Sequence, residues 1–339
     1  MMNALLVGPI VSIALLAATG TQPPAAWPDP SPHRVRFVAV DGDVQLEVLD
    51  WGGAGTPVVL LAGGGVTAHV YDEFAPKLTA YGHVYGITRR GFGASGFSMP
   101  DEPASRLRDD VLAVLGALHL DRPVLVGHSI AGAEMSAIAS AASDRIAGVV
   151  YLDAAYPYAF SNGAGPAMEE FQRAGWPRPP KPAASDLASF KSLQKWEAEV
   201  YGTRKPEAEL RLTWDSSPEG RPTKQRAFPG GPMFMAIMNS GTRYATIPVP
   251  ALVIFALPHR QERWIAKSPD PAVRQAAEAY FSAIDAATER QAKALEAGVP
   301  SARVVRLPDA HFIFLSNERD VLRETRAFLA GLKPSSGAP

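Results

Sequence analysis

The chain has 339 residues, a formal net charge of −1, 47% hydrophobic residues, 31 prolines, 29 glycines and no cysteine. Near-neutral charge without long like-charged runs excludes a nucleic-acid backbone or an anionic membrane as the expected partner, and the lack of cysteine excludes thiol chemistry, disulfides and Cys-ligated metal sites. The apolar content suffices for a large core, with loops to spare.

From the amino terminus, Ala4 to Ala18 is an apolar or small stretch followed by Ala18-Thr19-Gly20, a small-residue cleavage pattern. This predicts a signal peptide over 1–20, although Met1-Met2-Asn3 lacks the usual Lys or Arg; a Pro-rich spacer at 21–33 and a secreted or periplasmic location follow, with no stable membrane association after cleavage. Arg34 to Val40 and Val44 to Leu49 alternate apolar and polar residues around Asp41-Gly42-Asp43, which predicts a hairpin. The runs at 57–61, 84–88, 124–126 and 148–152 are continuously apolar, as expected of parallel strands covered on both faces. Helical patterns lie between them at Tyr71 to Thr79, Ala104 to Leu118 and Ile130 to Ala142.

Strand–helix alternation predicts an α/β fold, a doubly wound and mostly parallel sheet. Strands at Ala251 to Phe255 and Arg303 to Arg306 bracket a long Ala-rich helical stretch from Pro271 to Glu296, and Asp320 to Leu332 reads as a closing helix. Between them and the first half lie helical pieces near Ala167 to Arg173, Ser185 to Tyr201 and Pro206 to Leu212, joined by Pro-rich segments. The expected organisation is a core of 34–155 and 248–333 with a helical lid inserted at 156–247.

Chemistry concentrates at Val124-Leu125-Val126-Gly127-His128-Ser129-Ile130-Ala131-Gly132, a strand entering a small-residue turn with Ser129 at its tip. Such a nucleophile elbow pushes the serine hydroxyl into a cleft. The backbone N–H of the next residue, Ile130, and one from the loop after an earlier strand would form the oxyanion hole. Ala62-Gly63-Gly64-Gly65 is that loop, and Gly64 is the favoured donor. His311, after the last predicted strand in Leu307-Pro308-Asp309-Ala310-His311, is the candidate base. Gly91 to Gly96 matches a dinucleotide-binding pattern, but Phe97-Ser98-Met99-Pro100 follows it where a helix should begin, so it is discounted. Glu134, on the helix leaving Ser129, reads as a surface or structural residue.

The segments Val58 to Gly96, Val124 to Gly132, Val149 to Pro157, Pro250 to His259 and Leu307 to Leu329 together resemble the α/β-hydrolase superfamily. The resemblance implies an acid a few residues beyond the strand starting at Pro250, where this chain has His259, which cannot serve. It offers instead Asp153, at the end of the strand after the elbow helix, as in members such as the haloalkane dehalogenases. Glu262, three residues past His259, is the alternative acid. A serine at the elbow argues against dehalogenase chemistry, which needs a carboxylate nucleophile.

The expected activity is that of a serine hydrolase cleaving carboxylic esters of small to medium hydrophobic compounds through an acyl-enzyme, with Ser129, Asp153 and His311 as the catalytic set. Tyr156 and Tyr158 are candidate substrate-binding residues, among many lid aromatics that include Trp176. A C–C bond hydrolase or lyase using the same residues, and a ligand-binding protein with negligible turnover, are the rival readings. No cofactor and no metal are implied by any motif; the expected partner is a small hydrophobic ester, with no nucleic acid, and the oligomeric state is left open.

Overall fold

The computed structural model describes residues 27–173, 179–241 and 243–332. The expected signal peptide, the first part of the spacer and Trp176 lie outside the described residues.

The described chain opens with an antiparallel pair, β1 (Arg34–Asp41) and β2 (Val44–Gly52), followed by β3 (Pro57–Leu61), β4 (His83–Ile87), α1 (Pro103–Ala117), β5 (Val124–His128), α2 (Ala131–Ala141) and β6 (Gly148–Leu152). Next come α3 (Met168–Arg173), α4 (Phe190–Tyr201), α5 (Glu207–Thr213), the short strands β7 (Trp214–Ser216) and β8 (Pro222–Gln225), and α6 (Gly231–Asn239). The main sheet resumes at β9 (Ala251–His259), then α7 (Arg263–Lys267), α8 (Pro271–Gly298), β10 (Ala302–Asp309), α9 (Ile313–Ser316) and α10 (Glu318–Gly331).

The main sheet has eight strands in the order β1-β2-β4-β3-β5-β6-β9-β10. The pairings β1/β2 and β2/β4 are antiparallel and all others in it are parallel. Side chains alternate between two cores. Val59, Leu61, Leu125, Val149, Tyr151, Val253 and Phe255 face one, with α1 and α2; Val58, Leu60, Val126, Val150, Leu152 and Ile254 face the other, with α10. Because both faces are covered, the buried middle of each of these strands is apolar.

Two local expectations are corrected. The helix predicted over Tyr71 to Thr79 is a pair of 3₁₀ turns, Ala68–Tyr71 and Ala75–Leu78, because Pro76 supplies no backbone N–H to continue an α-helix. The helix predicted from Ser185 begins only at Phe190, where the Ser189 hydroxyl accepts from the Ser192 N–H as an N-cap. The segment between β6 and β9 has a small core of its own, made of Phe190, Leu193, Leu210 and Trp214. No helix among the described residues is long and apolar enough to cross a membrane.

Candidate active site

Ser129 follows β5 with a φ of +54°, a left-handed conformation that a serine adopts only where its surroundings hold it there. Its N–H donates to the Leu152 carbonyl at 3.3 Å, and its own carbonyl accepts from the Gly132 N–H at 2.9 Å, so strand and helix meet at the turn. Gly132 is required by close approach. A Cβ there would lie 1.9 Å from the Ala154 carbonyl oxygen, so only glycine lets α2 pack this tightly against the end of β6.

Asp153 follows β6 and is fully buried, with a φ of +47°. Its Oδ1 accepts from the Tyr156 hydroxyl at 2.7 Å and from the Ala256 N–H at 3.0 Å, which leaves Oδ2 to face His311 Nδ1 at 2.6 Å. Burial opposes ionisation of this carboxyl, but hydrogen bonds from His259 and His311 hold it well below the usual carboxylate range. As an acceptor, Asp153 fixes the proton of His311 on Nδ1 and leaves Nε2 free to take a proton. Glu262, the alternative acid, lines the same cavity, and no hydrogen bond between it and His311 occurs among the described residues; burial pushes its carboxyl up to about 7.

His128 stands next to the candidate nucleophile but takes no charge. Burial pushes its imidazole down to about 3, and Nε2–H donates to the His311 carbonyl at 3.0 Å, fixing the loop that carries His311.

The glycine loop after β3 runs beside the elbow. A Cβ on Gly63 would meet His128 Nδ1 at 2.6 Å and Ser129 Cβ at 3.3 Å, so the loop reaches the serine only because this residue has no side chain. The N–H groups of Gly64 and Ile130 have no protein acceptor among the described residues. The loop carbonyls are clamped by Arg89, which donates to the Ala62 oxygen at 2.8 Å and the Gly63 oxygen at 3.2 Å while its Nε pairs with Glu134. Glu134 is therefore not a surface residue: it is 4% exposed and anchors the clamp. The signal for it was present, since a lone carboxylate in the apolar helix α2 must find a partner. From the other side, Glu209 of α5 accepts from the N–H and hydroxyl of Thr67, joining the segment between β6 and β9 to the same loop.

Breaking a buried ion pair strands the remaining charge in a low-dielectric interior. Arg89→Met is accordingly expected to lower unfolding free energy by about 3–5 kcal/mol, measured by urea denaturation.

Ser129, Ile130, Tyr156, Tyr158 and His311 line a cavity of about 370 Å³. Its walls are largely apolar: Met168 and Phe171 from α3, Phe234 and Met238 from α6, and Phe281 and Ile284 from α8. The α8 contribution was not anticipated, because that helix reads from sequence as an Ala-rich connection. Tyr158 interacts with the Ser129 hydroxyl, and burial pushes its own phenol above the ordinary range.

His259, at the position where the resemblance implied an acid, forms a second pair beside the first. Its Nδ1 is 2.7 Å from Asp285 Oδ1 and its Nε2 lies 3.8 Å from Asp153 Oδ2. Burial opposes its charge, but Asp153 and Asp285 outweigh this and raise its pKa to about 9, so the ring is an imidazolium at neutral pH. Because the folded value exceeds the unfolded one, this stabilisation is complete below about pH 6.5 and is lost as the pH rises towards 9. The stability gap between the native chain and His259→Gln should thus shrink by roughly 2–3 kcal/mol across that window, measured by denaturant unfolding at a series of pH values; a constant gap would contradict the charged pair.

A profile of the alpha/beta hydrolase family matches residues 58–324, so the chain belongs to that family. Among curated proteins, a candidate non-heme haloperoxidase from Mycobacterium phage D29 is 32% identical over 104 residues, which is 30% of this chain and 37% of that protein. The match thus spans little more than a third of that relative's length. Solved structures also share the fold. E-2-(acetamidomethylene)succinate hydrolase superposes with a TM-score of 0.60 at 14% identity, covering 88% of this chain and all of that one. Carboxylesterase CesB from Bacillus subtilis does so with a TM-score of 0.54 at 14% identity, covering 89% and 93%.

Proposed function

We propose that the protein hydrolyses carboxylic esters of small to medium hydrophobic compounds through an acyl-enzyme. The carrying observation is the 2.6 Å Asp153–His311 contact in an apolar cavity that also holds Ser129. Ser129 Oγ attacks the ester carbonyl while His311 Nε2 takes its proton, and Asp153 stabilises the imidazolium that forms. The Gly64 and Ile130 N–H groups receive the oxyanion. Collapse of the tetrahedral intermediate breaks the C–O bond, and the His311 proton passes to the leaving alcohol. Water then attacks the acyl-serine with His311 again as base, releasing the acid and restoring the serine.

Supporting the substrate class are the Met and Phe side chains of α3, α6 and α8, which offer dispersion contacts to an acyl or alkyl group and few polar anchors. CesB, a carboxylesterase by name, shares the fold. A p-nitrophenyl ester series tests the reading: kcat/KM is expected to rise from acetyl to butyryl or hexanoyl and to fall for palmitoyl. Turnover confined to β-diketones or cyanohydrins would assign the same residues to C–C cleavage or lyase chemistry instead.

A further inference from the structure

Away from the cavity, the fold gathers four metal-type donors from two segments. Asp29 and His33 lie just before β1, while His69 sits in the first 3₁₀ turn and Asp72 follows it. One donor atom from each residue lies within 4.8 Å of all the others. We infer that these residues form a structural site for a divalent cation of the zinc type, with Asp29 Oδ2, His33 Nε2, His69 Nδ1 and Asp72 Oδ2 as ligands.

The donor spacings support this. Asp29 Oδ2 is 3.5 Å from His69 Nδ1 and 3.8 Å from His33 Nε2, and His69 Nδ1 is 3.2 Å from Asp72 Oδ2. A tetrahedron with metal–ligand bonds of about 2.0–2.1 Å has edges of about 3.3 Å. These three spacings fall within about half an ångström of that edge, and with all donors inside 4.8 Å of one another the cluster closes around an ion by drawing its wider pairs inward. The T-shaped arrangement of the two imidazoles, with ring centroids 4.8 Å apart, keeps the rings from blocking each other's approach.

Each histidine uses its remaining nitrogen as metal-bound histidines do. His33 Nδ1 is 2.8 Å from the second oxygen of Asp72, and His69 Nε2 faces Glu47 Oε1 at 3.5 Å. Glu47 is held in turn by the Thr88 hydroxyl at 2.7 Å. Glu47, outside the ligand set, and the non-ligating oxygen of Asp72 would thus fix the tautomer and orientation of the two rings. Three of the four side chains are almost wholly buried, and Asp29 keeps 30% of its surface, so an ion can reach the site from solvent and be closed in.

The donor set selects the ion. Two imidazoles disfavour magnesium and calcium, which take oxygen ligands, and two carboxylates with two neutral imidazoles carry a charge that a dication cancels. Four protein ligands leave no open position, so the site is structural rather than hydrolytic. Its consequence is mechanical. The ion would fasten the segment entering β1 to the turn that directly continues the Gly64 loop, where Thr67 is already held by Glu209 and where Trp27, from the same entering segment, stacks on Arg211 of α5. No local motif announces this site, because the two pairs of donors are far apart in the chain; the expectation of no metal rested on local spacing.

The full chain, stripped with a chelator and desalted, is titrated with Zn2+ in competition with a chromophoric chelator, and with Co2+ followed by visible absorption. One Zn2+ per chain is expected, with the intense visible bands of tetrahedral Co2+ and a higher Tm for the Zn2+-loaded protein. His33→Gln and Asp29→Asn lie outside the sheet core; each should weaken Zn2+ binding by at least about 100-fold, and Glu47→Gln by about 10-fold. Native-like circular dichroism and cooperative urea unfolding of these variants certify that they fold. Absence of stoichiometric Zn2+ binding, binding that survives both ligand substitutions, or an octahedral Co2+ spectrum would overturn the proposal and leave the cluster as a network of ion pairs only.

Discussion

Ser129→Ala is expected to lower kcat for a p-nitrophenyl ester by about 10⁵- to 10⁶-fold, with Tm and cavity unchanged. In the proposed mechanism the loss is this large because Ser129 Oγ is the atom that bonds to the carbonyl carbon; without it, His311 and the oxyanion donors would only assist water. The backbone at this position is left-handed, with a φ of +54°, and alanine tolerates it no better than serine does, so the fold should be affected little by the exchange itself. Near-native turnover would mean that another group performs the chemistry.

Asp153→Asn is expected to reduce kcat by about 10⁴-fold with KM little changed. The physical reason lies in hydrogen-bond polarity. In the native chain Oδ1 is taken by the Tyr156 hydroxyl and the Ala256 N–H, and Oδ2 faces His311 Nδ1. An amide that keeps its oxygen towards Tyr156 and Ala256 turns an NH₂ towards His311, which must then present an unprotonated Nδ1 and carry its proton on Nε2. That is the wrong tautomer for a base facing Ser129. The nearby imidazolium of His259 adds a second effect, because its charge is no longer balanced by Asp153. If Asp153→Asn keeps near-native turnover and Glu262→Gln abolishes it, the acid is Glu262.

Much of this was legible in the sequence for a definable reason. The middles of the central strands are apolar on both faces because cores lie on both sides, and that pattern is local. Ser129, the Gly63–Gly65 loop and His311 also stand in short segments whose chemistry can be read in place. Asp153 was offered by the resemblance to the α/β-hydrolase superfamily, and the strand order that sets β6 beside β5 and β9 brings it to His311. What escaped were the pairings across the fold that no local pattern announces. Arg89 and Glu134 meet only when β4 and α2 are brought together, Asp285 reaches His259 from α8, and the Asp29–His33–His69–Asp72 cluster joins two distant segments. The pocket walls contributed by α8 were hidden for a related reason: Phe281 and Ile284 fit an ordinary amphipathic helix, and only the three-dimensional arrangement turns them towards Ser129.

The most direct test is mass spectrometry of the protein after brief exposure to a fluorophosphonate. A single adduct mapping to Ser129, absent in Ser129→Ala and formed far more slowly in Asp153→Asn and His311→Ala, is the predicted result. No adduct on the folded native chain, or one that maps to a different residue, would contradict the assignment of Ser129 as a nucleophile activated by His311 and Asp153.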